Sequence, residues 1–370
     1  MLLATATPLA SIFGSGFLII VPVLERTLGV LSVIGAAGVC ALAYVAGTAI
    51  RHCVRVVEPA TRAGTLDRTT HRLDRLADAV IVVAYVISVA LYLRILAAYV
   101  FQFINSSSDV GQQILACLLV AAITVVGIRR GFHGLDLLER IALLVVLVLV
   151  TVLIVVLLVH DIRALADDRL HLPGVTSVGL GRVLLTLGGV VITVQGFETV
   201  RFLGEQYDAP TRIRASRVSQ LVSTAVYIAL VVAATPVMGT ATGAGDDSTL
   251  LNITARVAPL LALPLVITAV LSQFSAATAD TVAAEGNLRG LSTWMRGPRP
   301  FLISGIAAVA LAATVPTFTI VAIASRAFAA YYALQAVIAL RTSPGLPRKI
   351  GYGALALVML AITLLAEPVG

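Results

Sequence analysis

The sequence predicts an all-α polytopic membrane protein with about eleven transmembrane helices. Its 370 residues are 59% hydrophobic and only 12% charged, whereas soluble domains contain about 25% charged residues. Apolar runs of about 20 residues, the length that crosses a bilayer as a helix, recur along the whole chain. The Lys and Arg residues cluster in every second loop between these runs. No stretch has the composition of a soluble domain, so we predict a single transmembrane domain over residues 1–370.

The apolar runs give the predicted spans in chain order. The first run has no basic flank before it and no cleavage site, so we interpret it as a span and not as a signal peptide. The predicted spans cover residues 3–24, 28–50, 78–104, 111–129, 135–160, 180–204, 214–239, 255–287, 301–316, 318–340 and 350–366.

Loop charge predicts the orientation in the membrane. Of the 26 Lys and Arg residues, 19 fall in the loops after spans 2, 4, 6, 8 and 10, and four fall in the opposite loops. The positive-inside rule places the first set in the cytoplasm, with the N-terminus inside and the C-terminus outside the cytoplasmic membrane. The net charge of +7 follows from these loops, and we expect no nucleic-acid partner.

Cys40, Cys53 and Cys117 have neither disulfide nor metal-ligand spacing, so no metal site is predicted.

Two of the predicted spans, the first and the sixth, are interrupted near their centres by glycine, which weakens a helix by about 1 kcal/mol relative to alanine. The two breaks are five spans apart, and an odd number of spans makes the second unit enter from the opposite face. The pattern predicts a 5+5 inverted repeat, 3–160 and 180–341, with an extra C-terminal helix at 350–366.

The two breaks are the predicted substrate site. A helix broken at membrane depth frees backbone N–H and C=O groups, which bind anions and cations respectively. For Gly14 and Gly16 the alternative is that small residues permit close helix packing. The residues of the two breaks are Gly14, Ser15, Gly16, Gln195, Gly196, Phe197 and Glu198.

Four segments resemble the amino acid–polyamine–cation (APC) superfamily. "IFGSGFLIIVPVL" is similar to its first helix, "VQGFETVRFLGEQYDAPTRIRAS" to its sixth, "ITVVGIRRGFHGLDLLERI" to its fourth-to-fifth connection and "SAATADTVAAEGNL" to the end of its eighth. The resemblance, over about residues 3–341, implies the LeuT fold and a symporter that works by alternating access. It implies a small amine-bearing substrate, most simply an amino acid. The sequence departs from the superfamily pattern in two ways. It has eleven predicted spans where twelve are common, and its fifth span has Thr151 as its polar residue where many proton-coupled members carry a lysine. The coupling ion, H⁺ or Na⁺, stays open, and no other cofactor is expected.

Polar residues of span 8 are the candidates for ion coupling. An intramembrane carboxylate such as Asp280 usually marks an ion or proton path, and it shares a helix face with Ser272 and Gln273. LeuT-type proteins bind a cation between helices 1 and 8, and both Ala269-Ser272-Gln273 and Ala277-Asp280-Thr281 are similar to that pattern. The alternative is that Asp280 is an interfacial, solvated residue. The predicted coupling residues are Asp280, Ser272, Gln273 and Thr281.

Several further side chains have two interpretations each. Tyr85 and Tyr92 share one face of span 3 and either line the pocket or simply pack. Glu198 either complements the dipole of the second half-helix, in a structural or gating role, or pairs with Arg201 three residues later. Arg326 in span 10 either closes the outer vestibule as a gate or extends its side chain towards the interface.

The sequence argues against an enzyme. A Gly-x-Gly-Asp pattern at 243–246 and a Tyr-Asp pair at 207–208 match intramembrane aspartyl proteases, but span 7 places them on opposite sides of the bilayer. No zinc-protease motif or phosphate-binding loop is present.

The alternatives to an amine transporter are a non-transporting sensor or assembly subunit on the same scaffold and a transporter of an inorganic cation. The expected partners are the bilayer and a small solute, and the oligomeric state is not predicted.

Overall fold

A computed structural model shows an all-helical fold. It describes residues 2–14, 16–106, 108–130, 135–170, 172–174, 179–238 and 249–367, and these ranges contain no β-strand. The α-helices in these ranges are α1 (Leu2–Ile12), α2 (Gly16–Leu28), α3 (Ser32–His52), α4 (Glu58–Arg62), α5 (Arg68–Phe103), α6 (Asp109–Arg130), α7 (Leu135–Ala166), α8 (Leu180–Gly188), α9 (Ala209–Met238), α10 (Thr249–Val257), α11 (Ala262–Leu291), α12 (Arg299–Thr314), α13 (Thr317–Thr342) and α14 (Leu346–Leu365).

The helices have the length and composition of membrane spans. In the described ranges, 8 helical segments are long and apolar enough to cross a bilayer, and α12 is apolar but shorter. The polytopic all-α class is therefore confirmed. The number of eleven spans and the division into two repeats stay predictions.

Burial separates central helices from peripheral ones. In the apolar window of α5, 83% of the residues are buried, whereas the corresponding share for α14 is 17%. α5 packs against α11 and α13, and α14 packs mainly on α13. The bundle is thus built around α5, and its side chains reach both predicted breaks.

Two predicted spans are divided differently from the expectation. Span 8 was predicted as one helix over 255–287, but α10 ends at Val257 and α11 begins only at Ala262. Pro259 has no N–H to donate and disfavours helical geometry at Ala258, whose ψ is 73°. Span 6 consists of α8 followed by the 3₁₀ segments Val191–Val194 and Phe197–Leu203.

Candidate functional site

The first break lies between α1, which ends at Ile12, and α2, which begins at Gly16. Two carbonyl groups freed by the break are satisfied by side chains from distant helices. The hydroxyl of Tyr227 donates to the carbonyl of Ile12 at 2.6 Å, and the Nε2 amide of Gln273 donates to the carbonyl of Gly14. Because a buried carbonyl needs a donor, α9 and α11 hold the broken helix in place.

The second break, at Gln195 and Gly196, packs directly against the first. Gly196 has a φ of +121°, which L side chains rarely adopt. A Cβ at this position would lie 2.6 Å from the Ile12 nitrogen and 2.8 Å from the Ser11 carbonyl carbon. The backbones of the two broken helices therefore touch, and only glycine permits this approach.

The glycines of the first break also sit in close contacts. A Cβ on Gly16 would meet the Thr193 carbonyl at 2.0 Å, and one on Gly14 would meet the Ala276 Cβ at 2.9 Å. These contacts agree with the packing interpretation, and the substrate-binding role of both glycines stays a prediction. Ser15 lies outside the described residues.

Glu198 is fully buried beside the second break. Its Oε2 accepts hydrogen bonds from the Gly196 N–H at 2.8 Å and from the Tyr332 hydroxyl at 2.9 Å. The alternative pairing with Arg201 is wrong, because the Arg201 guanidinium lies 3.0 Å from the Asp74 carboxylate instead. Glu198 therefore belongs to the break and not to the ion pairs at the end of the bundle.

Asp280 is also buried, with 2% of its surface exposed, so it is not a solvated interfacial residue. Ser88 and Tyr92 flank its carboxylate. The Tyr92 hydroxyl accepts a hydrogen bond from the Gln195 amide at 2.7 Å, which leaves its own proton available for a carboxylate. Tyr92 thereby links the second break to the carboxylate of α11.

Aromatic rings fill the space between the breaks and α13. The Phe197 ring stacks on that of Tyr332 with centroids 5.1 Å apart, and Tyr85 contacts Phe202 and Phe328 edge-on at 6.0 Å. The predicted pocket residues Tyr85, Tyr92 and Phe197 thus lie in one buried cluster around the two carboxylates.

The remaining coupling candidates on α11 bond mainly within their own helix. The Ser272 hydroxyl donates to the Ala269 carbonyl at 3.2 Å and accepts from the Gln273 amide at 3.2 Å. The Thr281 hydroxyl donates to the Ala277 carbonyl at 2.7 Å. Of the hydrogen bonds that these three residues make within the described ranges, the bond from Gln273 to the first break is the one that joins α11 to another element.

Arg326 lies away from this cluster. Its Nε donates to the carbonyl of Ala366 at 2.8 Å, and its Nη2 donates to the same oxygen. A cation at a helix C-terminus satisfies its free carbonyls and complements the helix dipole. The observed contact therefore anchors the end of α14, and a gating role stays a prediction.

A cavity of about 230 Å³ reaches the buried carboxylate of α11. Its lining includes Ser11, Thr199 and Asp280 near the breaks, and Glu139 and Arg140 near the start of α7. The cavity therefore connects the breaks with the end of the bundle at which α7 begins. Among the described residues, no three His, Cys, Asp or Glu side chains come together as a metal site.

Several buried polar atoms at the breaks lack hydrogen-bond partners within the described protein. They come from the broken helices and from the faces of α5 and α11 that pack on them, and most are acceptors only. The atoms are Ser11 Oγ, Tyr85 OH, Gln195 Oε1, Glu198 Oε1, Gln273 Oε1 and Asp280 Oδ2. Unsatisfied buried polar groups are rare and cost about 1–3 kcal/mol each, so these atoms make the region of the breaks the candidate binding site.

Sequence reasoning missed two tyrosines of the site. Tyr227 and Tyr332 each place a hydroxyl on a break, but both stand in apolar helices with no local motif. The signal available in the sequence was a phenolic hydroxyl within an apolar helix, which indicates an internal hydrogen-bond partner.

The fold is that of the LeuT-type transporters. A manganese transporter of Eremococcus coleocola, solved with an aromatic bis-isothiourea compound, is similar at a TM-score of 0.57 and 12% identity, with 98% of this chain and 86% of that chain covered. Mhp1 in its inward-facing conformation is similar at a TM-score of 0.54 and 12% identity, with 96% and 89% covered. At these identities the likeness shows the fold, and the fold class confirms the prediction.

The chain belongs to the APC superfamily. Residues 1–366 match the family described as APC superfamily transporter, so the protein is a multi-pass membrane transporter and not an enzyme. A protein of Aquifex aeolicus (strain VF5), described as uncharacterized, is 32% identical over 338 residues, which cover 90% of this chain and 82% of that protein. The resemblance of the four sequence segments is thereby confirmed.

Proposed function

We propose that this secondary transporter carries a small amine-bearing solute, most simply an amino acid, and that a proton gradient drives it. The unpartnered acceptors at the two breaks and on Asp280 carry the proposal. An ammonium group offers three N–H donors and a positive charge. Such a group satisfies acceptors that otherwise remain unpaired, and it compensates the charge of Glu198 or Asp280 where these are ionised.

The carboxylate of an amino acid would find its partners at the helix ends. α2 begins at Gly16, and its first N–H groups have no acceptor within the helix. At the second break the Gly196 N–H already donates to the Glu198 carboxylate, so the start of α2 is the end that would hold the substrate carboxylate. N-terminal N–H groups favour negative charge through the helix dipole. The site thus offers donors for one end of an amino acid and acceptors for the other.

The contact between Gln273 and Gly14 favours H⁺ over Na⁺ as the coupling ion. In the sequence interpretation, a sodium site would use the carbonyls of the first break together with Ser272 and Gln273. In the structure the Gly14 carbonyl already accepts a hydrogen bond from the Gln273 amide, which takes the place of a cation. Asp280 then becomes the group that takes and releases a proton.

We further propose an inward-open conformation in the cytoplasmic membrane, which the cavity and the charge pattern support. The cavity lining includes Arg140, which belongs to the loops predicted to be cytoplasmic.

Cysteine labelling tests this orientation. In a variant without the native cysteines, we expect Asp109→Cys to react with an impermeant thiol reagent outside intact cells. Thr293→Cys is expected to react only after permeabilisation. Both positions are exposed, and the reverse labelling pattern would refute the orientation.

Uptake by purified protein in sealed vesicles tests the function. We expect labelled amino acids to accumulate in response to an imposed pH difference, and a protonophore to abolish the accumulation. A thermal-shift screen of amino acids, other amines and divalent cations selects the solutes to be labelled. Vesicles with a sodium gradient but no pH difference serve as the control.

Other results would favour the alternatives. Solute binding without flux would indicate the sensor or assembly subunit. Accumulation that requires sodium would refute proton coupling but keep the transporter. Uptake of Mn²⁺ but of no amine would indicate an inorganic cation transporter, because unpaired carboxylate oxygens bind metal ions as well as ammonium groups.

A further inference from the structure

A second cavity, of about 190 Å³, lies among the ends of α3, α9 and α14 and shares no lining residue with the first. We call it the basic cavity. It is lined by Tyr44, Thr48, Arg51, His52, Arg55, Arg217, Arg348 and Tyr352, which include four arginines and no Asp or Glu. All four arginines belong to the loops or helix ends predicted to be cytoplasmic.

The described part of the chain places no carboxylate against the arginines of the basic cavity. Among the ion pairs of the described residues, none involves any of these four arginines. Arg51 is buried, with 4% of its surface exposed, and it is oriented by bonds from Nη1 to Gln220 Oε1 at 2.5 Å and from Nη2 to the Tyr44 carbonyl at 3.2 Å. These partners are neutral, so the positive charge of the cavity remains uncompensated.

This arrangement suits a phosphate group. Several guanidinium groups in one cavity repel each other, and a phosphate removes the repulsion while it accepts hydrogen bonds from their forked N–H donors. The side chains of Arg55, Arg217 and Arg348 are exposed at the rim and are free to turn towards such a group. A basic pocket between helices on the cytoplasmic side is the type of site that holds an anionic headgroup.

The surface next to the cavity distinguishes a lipid from a soluble phosphate. Val45 is 46% exposed and Leu221 is 58% exposed, and both lie towards the membrane centre from the cavity. Val45 precedes Arg51 by about 9 Å along α3, and Leu221 follows Arg217 by about 6 Å along α9, at 1.5 Å per residue. An anionic headgroup in the basic cavity would therefore place its acyl chains on exposed apolar side chains.

We propose that the basic cavity binds an anionic phospholipid, with its headgroup phosphate among the arginines and its acyl chains along α3 and α9. The site is separate from the substrate cavity, and it does not depend on which solute is carried. Lipid binding at the ends of three helices would stabilise the folded bundle, because a ligand that binds only the folded state raises its stability.

Lipid titration of the full chain in detergent tests this site. Cardiolipin and phosphatidylcholine are added separately, and bound lipid is counted by native mass spectrometry while thermal unfolding is followed. We expect cardiolipin to bind and to raise the unfolding temperature, and phosphatidylcholine to do neither. Since each basic residue near a membrane surface strengthens anionic-lipid binding about fivefold, Arg217→Gln/Arg348→Gln should weaken cardiolipin binding about thirtyfold.

The matched control is Arg214→Gln/Arg296→Gln, which removes two exposed cytoplasmic-side arginines outside the cavity. It should change the affinity for cardiolipin less than twofold. Equal weakening by both double variants would overturn the site in favour of general surface charge. Pyrophosphate that binds as tightly as cardiolipin and displaces it would overturn the lipid assignment. If the first double variant does not fold, Arg348→Gln alone, in the exposed first turn of α14, should weaken binding about fivefold, and unchanged binding would refute the proposal.

Discussion

The Asp280→Asn variant is expected to exchange substrate normally but to lose all accumulation driven by a proton gradient. Asp280 is buried, lines the candidate substrate cavity and has one carboxylate oxygen without a partner among the described residues. Asparagine keeps the shape of the side chain but cannot take or release a proton. With one proton per substrate, a difference of 1 pH unit supports accumulation of up to about tenfold, whereas the variant should reach a ratio of about 1.

Two assays on the same vesicles separate coupling from general damage. Accumulation driven by a pH difference measures coupling, and counterflow between labelled and unlabelled solute measures exchange without net proton movement. Asp109→Asn, the same substitution at an exposed position in the first turn of α6, should leave both assays unchanged. Full accumulation by Asp280→Asn would remove this carboxylate from the mechanism and leave Glu198 as the remaining buried carboxylate beside the breaks.

Gly196→Ala is expected to abolish transport and to lower the free energy of unfolding by more than about 3 kcal/mol. The φ of +121° at this position costs a non-glycine residue about 1–3 kcal/mol. The added Cβ would also collide with the backbone of Ser11 and Ile12. Because both contacts are backbone atoms, α1 would have to move away from the second break and separate the two halves of the site.

Gly64→Ala is the matched control for this variant. Gly64 also has a positive φ, +67°, but a Cβ there would meet nothing within 4 Å. This control should lower stability by only about 1–2 kcal/mol, the cost of left-handed geometry, and should transport normally. Thermal unfolding in detergent and vesicle uptake provide the measurements. Similar effects of the two substitutions would mean that the close approach of the broken helices contributes nothing.

The position of both breaks was predictable because glycine in an apolar run is a local signal. Gly14 and Gly16 in the first span, and Gly196 in the sixth, indicated where the helices end, and the structure has helix ends there. The extra interruption at Pro259 was equally local, since proline lacks the N–H that a helix needs, but it was overlooked within an apolar run that we interpreted as one span.

Contacts between the breaks and other helices were not predictable in the same way. The depth of Arg326 in span 10 suggested a gate, which stays a prediction, but depth did not reveal that its side chain contacts the end of α14, 40 residues further along the chain. Likewise, the adjacent Arg201 suggested a partner for Glu198, but Tyr332 from α13 provides the hydrogen bond. Depth and sequence proximity do not say which neighbour a long side chain reaches.

The sequence by itself determined the membrane class, the alternation of loop charge, the family and the two glycine breaks, since each of these depends on composition or on short stretches of residues. Only the tertiary structure decided which groups satisfy the broken backbone and which polar atoms remain unpaired. Gln195 meets Tyr92 across 103 residues, and Gln273 meets the carbonyl of Gly14 across 259. Such partners depend on how all the helices pack together, because a freed carbonyl at membrane depth accepts from whichever donor the packing brings to it.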